Sequence, residues 1–413
     1  MTVSTGALGS IPRTLSVSAE HAPEGSLLRF SRWGLYVTIA ALPLYTVRWH
    51  YGPLPTTLLE TLIVVTVALY VVGAWRQGVR RPRSTAYDIA VLVLLAAGAV
   101  AVIVATDHRG ALGLYRAYFL EPIALFYVAV DMLRRSEHLQ RMVVAFAIGS
   151  SAFAVLNLVA FYQALIANAV FVGNAPNALY GDANYVAMYM DPPFAMAAAL
   201  VLLGQSARWK ALGAVWLLLT GAALIASFSK GAYMAVAVLV LVVVITVPRW
   251  RWVVTVAVAA AAVIATQVPL LMARFATVAS SIDGRQQLFG ATLQMLREHP
   301  IFGLGLGGYT YQFRGRMPEV YPHDIWLTFW VELGIAGVVA FGVILFGLLW
   351  RGWRAWPTTR GFDRVVLWGA LGALVLWTVH GLVDSPYWKN DMSVEFWLLA
   401  ALVVVASHRL ARA

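Results

Sequence analysis

Apolar residues in this chain run in long unbroken blocks that recur from about residue 33 to residue 408. A helix needs roughly 20 apolar residues to cross the hydrocarbon core of a bilayer. At that length the blocks predict spans near 33–49, 54–75, 86–105, 111–131, 141–165 and 185–204, then 210–228, 231–248, 251–270, 324–350, 364–384 and 391–408. The predicted fold is an all-α, polytopic transmembrane bundle of about 12 helices, with residues 33–408 forming a single membrane domain. Residues 1–32 have no short apolar core followed by a cleavage site. They are expected to form a mobile cytoplasmic tail. The pattern leaves one extended polar stretch, residues 271–323, inside the membrane domain.

Within that stretch the polar and apolar positions change period. The segment QQLFGATLQMLREH, following Gly284 and Arg285, places Leu288, Leu293 and Leu296 at near-helical spacing, so it predicts an amphipathic helix at the membrane surface that Pro300 ends. The run from Gly303 to Gly308 superficially resembles a dinucleotide-binding loop, but a strand–loop–helix context is missing. Tight turns that pack the loop against the helices, or a nest of amides near an anion, fit it better. His323 then falls at the mouth of the tenth span, where Asp324 can cap the helix. A capping or packing role for His323 is as open at this point as a chemical one.

Composition strengthens the membrane reading. The 413 residues are 61% apolar and 12% charged, against roughly 45–50% and about 25% for soluble domains. The absence of cysteine excludes disulfides and thiolate chemistry.

The net charge of +11 is explained by its distribution. Twenty of the thirty basic residues fall before the first span, after the last, or in every second short loop, among them Arg13, Arg29, Arg32, Arg76, Arg80, Arg81, Arg83, Arg409 and Arg412. The bias of positive residues toward the cytoplasm makes that side cytoplasmic, with both termini on it. No nucleic-acid partner needs to be invoked. Nine cations then lie on the outer side against the bias: Arg48, Arg109, Lys230, Arg274, Arg285, Arg297, Arg314, Arg316 and Lys389.

Arg116 and Glu121 lie five apart inside the fourth span. Ionisable groups at membrane depth are functional or paired, but five-residue spacing is not an i,i+4 match. An internal ion pair and a role near anionic substrate both remain open. Asn174, Asn177, Asp182 and Asn184 suit either sugar hydroxyls or turns. Tyr387, Trp388 and Lys389, after His380 and Asp384, read as interfacial anchors. Trp326 and Trp330 read as interface or packing groups. No Asp/Glu pair one residue apart and no His cluster has metal-ligand spacing, so metal-independent chemistry is expected.

The sequence HPIFGLGLGGY (299–309), followed by His323-Asp324 and by Glu332 in ELGIAG, resembles the signature of bacterial O-antigen ligases and the related O-antigen polymerases. Asp283-Gly284-Arg285 and the SFSKG turn around Lys230 extend the resemblance. It implies a membrane glycosyltransferase of the C type. Such enzymes take a glycan from an undecaprenyl-diphosphate carrier on the outer face of the plasma membrane and pass it to a sugar hydroxyl of lipid A–core, or of another carrier-linked repeat. The resemblance implies His323 and Arg285 as catalytic and Lys230, where the family more often has Arg, as a diphosphate contact beside Arg285.

Arg116 is a further diphosphate candidate, with Glu121, Asp324, Glu332 and Asp384 in support. Departure of a diphosphate develops negative charge that fixed cations stabilise. A neutral imidazole at His323 can take the proton of the attacking hydroxyl. No cofactor is expected; membrane lipids, the lipid-linked donor and a glycan acceptor are the expected partners. A secondary transporter or lipid flippase of twelve spans is the alternative from another class, against which the absence of a repeat between the two halves counts.

Overall fold

Helix starts in this chain are repeatedly marked by a short polar side chain. The first backbone N–H groups of a helix have no partner within it, and in an apolar medium leaving them bare is costly. Thr57 forms a reciprocal capping box with Glu60, while Asp107, Asp182, Ser206, Ser229 and Asp324 each accept from a backbone N–H in the following turn. The computed structural model describes residues 25–52, 54–78, 83–310 and 319–408. The expected tail up to residue 24, Arg80, Arg81, Arg314, Arg316, Arg409 and Arg412 lie outside the described residues.

The helices are α1 (Ser26–Ala40), α2 (Leu58–Arg76), α3 (Asp88–Val104), α4 (His108–Tyr115), α5 (Glu121–Met132), α6 (Ser136–Ile166), α7 (Ala183–Leu203) and α8 (Ala207–Ala226). They continue as α9 (Lys230–Thr246), α10 (Arg251–Ala265), α11 (Pro269–Ala276), α12 (Val278–Glu298), α13 (Ile325–Ala355), α14 (Gly361–His380) and α15 (Asn390–His408). Eight helical stretches among the described residues are long and apolar enough to cross a membrane by length and composition, and α3 and α9 are shorter apolar helices. Helices α7 and α15 are the most enclosed, with α14 packed against both. By contrast α10 has no buried residue.

Two boundaries differ from the expected ones. The first helix begins at Ser26, inside the expected tail, and ends at Ala40 instead of near 49. Residues 48–57, expected to be partly within the first two spans, form an antiparallel hairpin of β1 (Arg48–Tyr51) and β2 (Leu54–Thr57). Hydropathy alone could not see it: Trp49, Tyr51 and Leu54 keep the window apolar, while the reversal begins at Gly52, whose φ of +57° suits glycine.

The amphipathic helix expected after Arg285 begins earlier, so that Gly284 and Arg285 sit inside α12. Its buried positions are Leu288, Thr292 and Leu296, a stricter i,i+4 stripe than the expected leucines, and Leu293 is exposed. The glycine-rich run that follows wedges into a break in α13. Gly334 there has φ +71°, and a Cβ on it would lie 2.2 Å from the Ile301 carbonyl oxygen. The break lets the glycine run and α13 exchange main-chain bonds, Leu304 N donating to Val331 O and Ile335 N to Ile301 O. Glu332 accepts from the amides of Gly307 and Tyr309. The anion in the amide nest is thus the protein's own Glu332.

Candidate functional site

An open cleft of about 880 Å³ lies where the start of α7, the α11–α12 segment and the approach to α13 converge. Arg274, Ser281, Asp283, Arg285, Glu319 and His323 line it, with Asp182 and Asn184 on the α7 side.

His323 is held from both sides. Its Nδ1 lies 3.1 Å from Asp384 Oδ1 and its Nε2 lies 3.2 Å from Glu319 Oε2. Its backbone has φ +53°, a left-handed conformation costly for a residue with a Cβ. Such strain persists where surrounding bonds over-determine it. Here Ile325 N donates to Gly381 O, and Thr328 and Ser385 share a hydroxyl bond at 2.7 Å, fastening the start of α13 to the end of α14.

Burial opposes charge on the His323 ring, but Asp384 and then Glu319 outweigh it and raise its pKa to about 10. Burial likewise opposes charge on Asp384, yet the His323 imidazolium, with His380 and Arg285 nearby, holds its carboxyl down at about 2. Asp182, the α7 cap, is pushed up, chiefly by burial.

The opposite wall is cationic. Arg285 lines the cleft and donates from Nε to the Val383 carbonyl at 2.7 Å, one residue before Asp384. Lys230 opens α9, and its ammonium donates to Thr277 O at 2.7 Å, Thr277 Oγ1 at 2.9 Å and Ser281 Oγ at 2.6 Å. Arg274 lines the cleft, anchored by Nε to Phe228 O at 2.8 Å. Three cations therefore converge on the α11–α12 junction, facing a histidine with two carboxylates. Such an arrangement can hold a diphosphate on one side and a hydroxyl on the other.

The structure brings His323, Asp384, Arg285 and Lys230 together and leaves the other candidates elsewhere. Arg116 does not line the cleft. Residues Arg116–Leu120 form a π turn, whose i→i+5 geometry places Glu121 beside Arg116 despite a spacing that an α-helix would keep apart. Arg116 Nη2 lies 2.7 Å from Glu60 Oε2 and Nε lies 3.2 Å from Glu121 Oε1. The two candidates in the fourth span thus form an internal ion pair, one of the two alternatives the sequence left open, away from the cleft. Asp324 serves as the α13 cap, donor Leu327 N at 2.8 Å, and Glu332 serves the glycine loop.

Tyr387 and Trp388 are also corrected: they are 0% and 1% exposed, because the α14–α15 connection folds into the bundle instead of lying at its surface. Lys389 sits 3.6 Å over the Tyr185 ring and donates to Tyr45 Oη. Trp326 stacks on Phe346, a packing role. Asn174 accepts from Ala183 N and Asn177 donates to Ala175 O, as turn residues do.

Sequence reasoning missed Glu319 and gave Arg274 no role. Glu319 stands four residues before His323, a spacing that means something only in a helix, and this approach is not helical. Arg274 depends on the α11–α12 corner, which carries no motif.

Among the described residues, no group of three or more His, Asp or Glu is arranged to hold a metal ion.

Comparison with known proteins agrees with the geometry. A family model described as O-antigen ligase matches residues 212–342, a stretch that contains Lys230, Arg274, Arg285, Glu319 and His323. No curated protein matches the chain. The match supports a membrane glycosyltransferase of ligase or polymerase type with a lipid-linked glycan donor and a glycan acceptor. Over residues 212–342, about a third of its length, the chain is similar to the O-antigen ligase family.

Proposed function

We propose that this protein transfers a glycan from an undecaprenyl-diphosphate carrier to a sugar hydroxyl at the outward face of a bacterial plasma membrane, in the manner of an O-antigen ligase, without a metal. The bundle would have about twelve spans, both termini cytoplasmic and the cleft facing outward. The observation that carries the reading is His323, bracketed by Asp384 and Glu319, in one cleft with Arg285 and next to Lys230.

In this reading the acceptor hydroxyl takes the place of Glu319 on Nε2. As Glu319 withdraws it carries the Nε2 proton with it, leaving a neutral ring whose Nδ1–H donates to Asp384, which keeps the ring's orientation, and whose bare Nε2 can accept. The hydroxyl proton passes to Nε2 as its oxygen attacks the anomeric carbon. The bond from that carbon to the diphosphate breaks, and its electron pair leaves with the diphosphate, facing Arg285, Lys230 and Arg274. A charge-assisted contact of this kind contributes about 1.5–3 kcal/mol, and attack opposite the leaving group inverts the anomeric centre.

Incubating the full-length protein in lipid with an undecaprenyl-diphosphate glycan and candidate acceptors tests the reading by product size. One addition indicates a ligase and a ladder a polymerase, since both use the same donor site. His323→Ala and Arg285→Ala are expected to abolish transfer while the protein still folds. Undiminished transfer by His323→Ala would remove the general-base assignment. Movement of labelled carrier across vesicles with no transfer product would favour the transporter class.

A further inference from the structure

A second histidine–carboxylate pair lies behind the cationic wall. His380, the last residue of α14, is 1% exposed, and its Nδ1 lies 2.6 Å from Oδ2 of Asp191, a residue of α7 with no exposed surface. The far side of the ring meets Ser229, with Nε2 3.4 Å from Oγ. A tautomer whose Nδ1–H donates to Asp191 leaves Nε2 to accept from that hydroxyl. Ser229 in turn caps α9, accepting from Ala232 N, and is followed directly by Lys230.

Two further observations show that the pair is fitted to this turn. A Cβ on Gly231 would lie 2.5 Å from His380 Cδ2 and 2.7 Å from Nε2, so only glycine lets the first turn of α9 close on the ring. The residue before Ser229, Phe228, has φ +52°, and its carbonyl is the anchor of Arg274. The turn that carries Lys230 and fixes Arg274 is therefore strained, and a buried bond from another helix holds it there.

The same short stretch of chain reaches the rest of the cleft. His380 fixes the Lys230 turn, the Val383 carbonyl accepts from Arg285, and Asp384 holds His323. Ionised or strongly polar side chains are expensive at this depth and need a function or a partner. Asp191 and His380 have each other, but an apolar pair would fill that space without desolvation cost.

We infer that Asp191 and His380 are positioning residues for the donor diphosphate: through Ser229 they set the Lys230 ammonium, and through Phe228 the Arg274 guanidinium, in register with Arg285. This rests on the transferase reading for the identity of the donor, but not for its test. Neither residue touches substrate in the proposal.

The measurement uses the full-length protein in nanodiscs with undecaprenyl diphosphate itself as probe, and then donor and acceptor KM and kcat with the glycan-linked carrier. His380→Ala and Asp191→Ala are expected to weaken carrier binding about tenfold, the equivalent of one charged contact. Donor KM should rise in parallel, with acceptor KM unmoved. Asp191→Asn, which keeps an acceptor oxygen toward Nδ1, should restore most of the affinity. In a Lys230→Ala background the loss caused by His380→Ala should shrink to the part carried by Arg274, because coupled residues are not additive.

An equal fold loss in both backgrounds, or unchanged carrier binding by His380→Ala, would overturn the inference. If His380→Ala does not fold, Ser229→Ala breaks the same link with the buried pair intact and carries the same expectations. A wild-type protein that binds the carrier but yields no product counts against the transferase reading and leaves the binding cycle decisive for the positioning pair.

Discussion

Glu319 stands on the Nε2 position that an acceptor hydroxyl would take in the proposed reaction, and it is the more exposed of the two carboxylates, at 43% against 4% for Asp384. In the proposed reaction the two would do different work: Asp384 would orient His323 and Glu319 would tune it. Removing the charge of Glu319 should bring the His323 pKa down from about 10 toward the ordinary 6.5. The base form of His323 is present above its pKa, so kcat/KM should rise with pH. In Glu319→Gln that rise is expected at lower pH than in the wild type, and an unmoved profile would separate Glu319 from the control of His323.

The same pair links stability to pH. His323 is raised from 6.5, so its contribution is whole below 6.5 and is lost as pH climbs through about 10. Asp384 is depressed from 3.8, so its contribution is whole above 3.8 and is lost as pH falls through about 2. Thermal unfolding in detergent should therefore show this pair's contribution at full strength between those inner values. In Asp384→Asn the dependence between pH 6.5 and 10 should flatten.

At the scale of the element, local geometry decides what spacing alone could not. Arg116 and Glu121 are not an i,i+4 match on α-helical spacing, which left their pairing open, and the π turn unites them. Arg116→Ala would leave Glu60 and Glu121 without their cation. With Arg116 about a third exposed, the expected loss is about 2 kcal/mol of stability, below the full cost for a buried pair. Carrier affinity should be unchanged, measured on the same preparation. Gly334→Ala should cost about 3 kcal/mol, combining backbone strain with the clash against Ile301 O. It should also loosen the glycine loop from α13, visible as faster amide exchange at Leu304 and Gly307.

How much was legible follows from the same elements. The long apolar helices, the α12 segment and the meeting of His323 with Arg285 were open to reading, because hydropathy, period and a family-like motif are local in sequence. The hairpin, the π turn and the Glu319 contact were not, because each depends on a turn type or an encounter that periodicity does not encode. His380 with Asp191, 189 residues apart, could be seen only once α7 and α14 were packed.

For the whole molecule, the distribution of charge makes a prediction about sidedness. Because the chain has no cysteine, single cysteines report topology without background. Ser280→Cys, in the cleft, is expected to react with a membrane-impermeant maleimide on intact cells or right-side-out vesicles. Arg208→Cys, in the first turn of α8, should react only after permeabilisation. The reverse pattern would place the cleft on the cytoplasmic side and remove the outward-facing reaction.

For the proposed transferase, which would have to wait for its acceptor, the Glu319 contact has a further consequence. A carrier-linked glycan bound alone faces water, the most abundant nucleophile, and a histidine ready to activate any hydroxyl would squander it by hydrolysis. In the proposed reaction, with Glu319 on Nε2 and the ring protonated, His323 would offer water no base. Only a nucleophile that brings enough binding contacts of its own would displace Glu319. Glu319→Ala is thus expected to release free glycan from the donor in the absence of acceptor, several-fold faster than the wild type.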